Sequence, residues 1–172
     1  MTKSIEQFIE NNIDLIDNNN YTELYIRCWD FDRGKLSEVL YACGIDPIKY
    51  MTKIPNGFAF EANITNITIP DSVTSIGSST FGWCTSLTDV TIGNGVTCIG
   101  DSAFAGCSSL TNVTIGSGVE SIGKEAFCEC GNIQIAYSGT KEQWKRLVAS
   151  NNIFGSTSYV CNCSDGVVRK SR

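Results

Sequence analysis

Nine cysteines and no histidine set the chemistry open to this 172-residue chain. Losing histidine removes the commonest general base, the commonest metal ligand and every Ser-His or Cys-His couple. Cys84, Cys107 and Cys130 recur every 23 residues. On stacked coils they would approach disulfide distance, yet a small apolar thiol also suits a tight interior rung. The odd number of cysteines, and a start at Met1–Gln7 that does not read as a secretory leader, favour the rung. Cys128-x-Cys130 and Cys161-x-Cys163 together supply four thiols, but with one-residue spacers where structural zinc sites usually have two, and Cys130 belongs to the rung. No metal site and no cofactor is expected. Among the carboxylates, Asp89 lies in a strand whose matching positions are Asn66 and Asn112, while Asp101 and Glu125 fall on turns of different coils. No acid pair converges, the glycines serve turns rather than phosphates, and a non-enzymatic protein is expected. The Asn-x-Ser/Thr sequons at Asn63, Asn66, Asn112 and Asn162 follow largely from a Thr-rich strand, and glycosylation would require a secretory route.

Charge divides the chain into three. Residues 1–53 hold six basic and nine acidic side chains, 54–132 one and seven, and 133–172 six and two. An acidic middle is a poor match for phosphate backbones, so no nucleic-acid partner is expected. The tail residues Arg169, Lys170 and Arg172 read as a solvated end. No apolar run approaches the roughly 18–20 residues of a membrane helix, so no membrane insertion is expected.

The elements that must position these residues repeat. Ile64–Ser86, Leu87–Ser109 and Leu110–Asn132 align without a gap, each 23 residues long. Ile67, Val90 and Val113 correspond, then Ile69, Ile92 and Ile115, then Val73, Val96 and Val119. Ile76, Ile99 and Ile122 follow, each before a glycine, and then Phe81, Phe104 and Phe127. A partial copy around Phe58 precedes these three, and a decaying one follows at Ile133. Val90-Thr91-Ile92 alternates as a half-buried strand does, and Gly93-Asn94-Gly95 turns the chain. Val96 and Ile99 then point inward from a second side. One coil cannot bury these side chains, but neighbours stacked about 4.8 Å apart form a continuous core.

The segment Leu87-Thr-Asp-Val90-Thr-Ile92-Gly-Asn-Gly-Val96-Thr-Cys-Ile99-Gly-Asp-Ser-Ala103-Phe104-Ala-Gly-Cys107 resembles the BspA-like leucine-rich repeat, also called the Treponema pallidum type. Tyr137-Ser-Gly139-Thr140-Lys-Glu-Gln-Trp144 and Val160-Cys-Asn-Cys163-Ser-Asp165-Gly166 are similar to the closing segment that often follows such repeats. The resemblance implies a curved solenoid and a recognition role, commonly adhesion to host or matrix proteins. Many members are bacterial surface proteins.

The expected fold is an α+β repeat solenoid in three parts: a helical N-terminal cap at 1–52, leucine-rich repeats at 53–136, and a helix-plus-hairpin cap at 137–172. Ser4 with Gln7 makes a capping box ahead of Ile5, Phe8, Ile9, Ile13 and Ile16 at helical spacing. Further helical segments lie near Thr22–Cys28 and Arg33–Gly44. The alternative for this region is a separate targeting or effector domain. Lys141–Ser150 predicts an amphipathic helix facing Trp144, Leu147 and Val148 inward, and Asp165-Gly166 predicts a hairpin turn.

Outward strand positions are Asn66 and Thr68, Asp89 and Thr91, and Asn112 and Thr114. Six small polar residues cannot make a standard interface of roughly 20–30 residues a side anchored by Trp, Tyr or Arg. Aromatic anchors are therefore expected from Trp83, or from Trp29 and Phe31 in the cap. The expected function is a non-enzymatic protein-binding module, cytoplasmic unless a leader was removed, carried by a phage or mobile element and engaging a host protein. The alternatives are a bacterial surface adhesin-type protein, whole or fragment, and a structural or virion component. Oligomeric state is left open.

Overall fold

The computed structural model describes residues 64–149 and 152–170, with the single positions 7, 10, 11, 14 and 59. Gln7, Glu10, Asn11 and Asp14 are helical, and the Gln7 amide donates to Glu10 and Asn11 one turn on. The remainder of the expected N-terminal cap, including Trp29 and Phe31, lies outside the described residues.

The repeat winds into a β-solenoid of about four turns. Each complete turn has three sides. The first side carries β1 (Asn66–Ile69), β3 (Asp89–Ile92), β5 (Asn112–Ile115) and β7 (Ile133–Tyr137) in parallel. β8 (Tyr159–Cys163) continues the parallel order, and β9 (Gly166–Lys170) closes it antiparallel, giving the order β1-β3-β5-β7-β8-β9. The second side is a narrow parallel sheet of β2 (Ser75–Ile76), β4 (Cys98–Ile99) and β6 (Ser121–Ile122). The third side has no strands, yet its backbone is laddered: Phe81 N–H donates to Ala103 O, Phe104 to Ala126 O and Phe127 to Ile153 O.

All three sides point apolar residues into one core. Ile67 and Ile69 are buried while Asn66 and Thr68 between them are exposed, as the pleat requires. From the third side Phe81, Phe104, Phe127 and Phe154 stack face to face, with centroids 5.1, 5.2 and 5.6 Å apart. That spacing is close to the rise between coils, so ring stacking and strand pairing favour one geometry.

Turns are stapled from coil to coil. Asp71 Oδ1 accepts the Asn94 N–H at 2.6 Å, and Asn94 Oδ1 accepts the Ser117 N–H at 3.1 Å. Asp101 Oδ1 likewise accepts the Lys124 N–H at 2.7 Å. Close approach explains the glycines beside them. A Cβ at Gly95 would lie 1.8 Å from Asp71 O, and one at Gly118 would lie 1.9 Å from Asn94 O.

The expected C-terminal helix is present as α1 (Lys141–Ala149). Thr140 and Gln143 cap it reciprocally, each side chain accepting from the other's backbone N–H. Trp144 is fully buried among Tyr137, Phe154 and Tyr159, and Leu147 and Val148 pack against the same core. The expected hairpin is also present, as β8 and β9.

Among the described residues from 64 onward, α1 is the single α-helix beside nine strands, as expected of that part of the chain. One feature differs from the expectation: the parallel sheet continues past the three complete copies into β8, because the pairing of Asn112 with Gln134 shortens the step by one residue and the pairing of Ile133 with Tyr159 then spans the inserted helix.

Candidate functional site

The broad outward face of the six-stranded sheet gathers the polar residues expected from the repeat. Asn66 stands opposite Asp89, which stands opposite Asn112; Thr68, Thr91 and Thr114 form the neighbouring row. Register then adds residues that sequence reasoning missed. The first row runs on through Gln134, Val160 and Arg169, and the second through Ala136, Asn162 and Val167. Six strands give a face about 24 Å across. The alternation Ile133-x-Ile135-x-Tyr137 could have revealed β7 as a strand; placing β8 beside it required the structure.

The two halves of the face differ in chemistry. At the β3–β5 end, Asn112 Nδ2 donates to Asp89 Oδ1 at 2.8 Å, and the Thr88 hydroxyl donates to the other oxygen. These bonds, Thr88 first and Asn112 second, hold the Asp89 carboxyl below its ordinary value. A carboxylate held ionised and bonded at both oxygens is poorly suited to general acid work. At the β8–β9 end, Val167 is 49% exposed and Val160 half-buried, with the exposed Arg169 beside them. A shallow depression of about 310 Å³ opens there, lined by Ile133, Gln134, Tyr159, Val160, Arg169 and Lys170 among others.

Trp83 is not part of this face. It lies on the third side, half exposed, with φ of 59° and its indole across Gly106, where a Cβ would come within 2.6 Å of the ring. Trp83 and the threonine row are therefore separate surfaces of the coil.

The repeat cysteines are core residues. Cys107 Sγ donates to Phe81 O at 3.1 Å and Cys130 Sγ to Phe104 O at 3.2 Å. Burial pushes the Cys130 thiol up to about 12 and the Cys107 thiol higher still, so both remain protonated and unreactive near neutral pH. Cys128-x-Cys130 and Cys161-x-Cys163 do not converge, and no group of three or more potential ligands capable of holding a metal occurs among the described residues. Asp101 is occupied by its turn staple and Glu125 by an ion pair with Lys124 at 3.6 Å. No described helix is long and apolar enough to cross a membrane.

The coil geometry defines a β-solenoid of leucine-rich-repeat type. The family model for the BspA type leucine rich repeat region matches residues 52–146 in six copies, and the chain belongs to that family. A crystal structure of a leucine-rich repeat protein from Bacteroides capillosus ATCC 29799 is 43% identical over 40% of this chain and 49% of its own, with a TM-score of 0.38. A leucine rich cell surface protein from Faecalibacterium prausnitzii A2-165 is 29% identical over 58% of this chain and 34% of its own, with a TM-score of 0.44. The matched parts are thus about half and one third of those proteins' lengths. Comparison with curated proteins finds no match.

Proposed function

We propose that this chain is a non-enzymatic protein-binding module that seats its partner on the outward face of the large sheet, anchored at the β8–β9 end. Leucine-rich repeats are in general a protein-interaction architecture, and the proposal specifies the surface. The observation that carries it is the change of chemistry along the face. Small polar groups at β1, β3 and β5 give way to exposed Val167, half-buried Val160 and exposed Arg169. An apolar contact flanked by a guanidinium is the kind of feature that anchors interfaces, whereas threonine rows contribute complementarity. The matching partner surface is an apolar side chain beside a carboxylate.

A second surface is favoured by Trp83. Its indole is half exposed and pinned on Gly106, so a partner contacting it would meet a side chain that loses little freedom on binding.

A partner inside the cell, including a host protein engaged by a phage-encoded or mobile-element-encoded module, is one setting. A host or matrix protein outside the cell is the other. Immobilised chain is exposed to cell lysate and, separately, to extracellular-matrix extract. A partner retained from one source by wild type and Thr91→Ala, and lost by Val167→Asp/Arg169→Glu, supports the reading and assigns the setting. Equal retention by the double variant refutes the proposed face.

A further inference from the structure

The six-stranded sheet ends at β9, and among the described residues no strand pairs with its far side. Ser164 and Asp165 make a two-residue loop, so Cys163 and Gly166 close the hairpin as a hydrogen-bonded pair. Alternation along an antiparallel pair then turns the N–H and C=O groups of Gly166, Val168 and Lys170 toward β8, and those of Val167 and Arg169 away from it. Among the described residues no backbone hydrogen bond engages Val167 or Arg169 on that side. Val167 is half exposed and Arg169 exposed, so these groups meet solvent.

We propose that β9 accepts an extended acidic segment of a partner protein as a seventh strand of the sheet. The proposal rests on the binding role assigned to the β8–β9 end and names how the partner is held there. Backbone bonds to Val167 and Arg169 supply the attachment, and side chains choose the segment.

Charge selects the occupant. An added strand points alternate side chains to the two faces of the sheet. On the outward face it meets Arg169, and on the core side Lys170, whose ammonium donates to Gly155 O at 2.8 Å. At the other end of β9 the Lys141 ammonium lies beside Gly166, where Asp165 offsets it, accepting the Lys141 N–H at 2.7 Å. The excess positive charge therefore sits at the Arg169–Lys170 end, with Arg172 two residues further along the chain.

A second copy of β9 fits less well. Laid antiparallel with Val167 opposite the other copy's Arg169, two such strands make their Arg169 side chains diagonal neighbours on one face, about 7–8 Å apart. Like charges so placed repel, which is how edge cations discourage self-pairing. An acidic strand turns the same cations into attractive contacts.

The test titrates the full chain with a synthetic peptide of alternating Glu and Val, and with the same peptide carrying Lys for Glu, while NMR follows backbone amide exchange. In the free chain the Val167 and Arg169 amides are expected to exchange quickly and the Val168 amide slowly. The Glu peptide is expected to bind at least about tenfold more tightly than the Lys peptide and to protect the Val167 and Arg169 amides. Arg169→Glu is expected to erase that preference. Equal affinity for the two peptides, Glu-peptide binding that leaves both amides unprotected, or protection already present in the dilute free chain overturns the proposal. Protection that grows with chain concentration alone also overturns it and assigns the edge to a second copy. A captured partner that Val167→Asp/Arg169→Glu loses, but that leaves both amides unprotected in the wild type, overturns the added strand while the outward-face reading stands.

Discussion

Glu129 adopts a left-handed backbone conformation, φ 56°, at the position that Gly106 fills one coil earlier with φ 74°. For a residue with a Cβ this conformation costs about 1–2 kcal/mol, from which the extra unfolded-chain freedom of glycine removes about 0.5–1 kcal/mol. Glu129→Gly is therefore expected to stabilise by about 0.5–1 kcal/mol and raise the melting temperature by about 2 °C, measurable by calorimetry. A lower melting temperature would mean that the carboxylate contributes more than the backbone strain costs. Asp89 makes a residue-scale prediction in pH. Its lowered carboxyl adds stability that is present above the ordinary carboxylate value and is lost as pH falls through its folded value. The stability gap between wild type and Asp89→Asn should accordingly narrow as pH falls below about 4, the ordinary carboxylate value; a gap unchanged on acidification would remove the electrostatic account. Asp89 itself was legible as the acidic member of an asparagine row. Its two hydrogen bonds were not, because one comes from the next coil and the other depends on a rotamer.

At the scale of the element, the coil was the most legible feature, since Ile67, Val90 and Val113 occupy identical surroundings and selection for one core repeats one spacing. The two-residue strands β2, β4 and β6 left no alternation to read, being shorter than one period of a pattern. The pairing of β8 with β7 was hidden differently: the helix between them breaks the 23-residue register, and the partner of β8 is fixed by Trp144, Phe154 and Tyr159 packing together. Because the phenylalanine ladder is continuous, Phe104→Ala opens a gap between two stacked rings and should cost about 3–5 kcal/mol in denaturant unfolding. A loss under about 1 kcal/mol would show that the ladder relaxes into the space. The thiol rungs predict an alkaline limit. With folded values raised by burial, Cys107 and Cys130 contribute stability that is complete below the unfolded thiol value near 9 and declines as pH rises toward about 12. Cys107→Ala/Cys130→Ala should lose part of this slope between pH 9 and 11, although Tyr137 and Tyr159, also raised by burial, keep some of it.

At the scale of the molecule, the solenoid buries one face of each strand in the core, and the proposed binding surface is what the outward rows carry. Sequence reasoning located the first half of that surface through Asn66, Thr91 and Thr114, and treated Arg169 as part of a solvated end. Arg169 is indeed exposed, but pairing across Val160 sets it in the same row as Asp89 and Asn112. No local pattern carries that fact, because it depends on β8 pairing forward with β9 and backward with β7. The result is a face about 24 Å wide, polar at one end and apolar with a cation at the other. The most direct test is the dissociation constant of the captured partner, measured by titration calorimetry for wild type, Arg169→Glu, Trp83→Ala and Thr91→Ala. Arg169→Glu should weaken binding at least about tenfold, and Thr91→Ala by less than about threefold. Unchanged affinity in Arg169→Glu together with a tenfold loss in Trp83→Ala would contradict the account and move the binding surface to the third side of the coil.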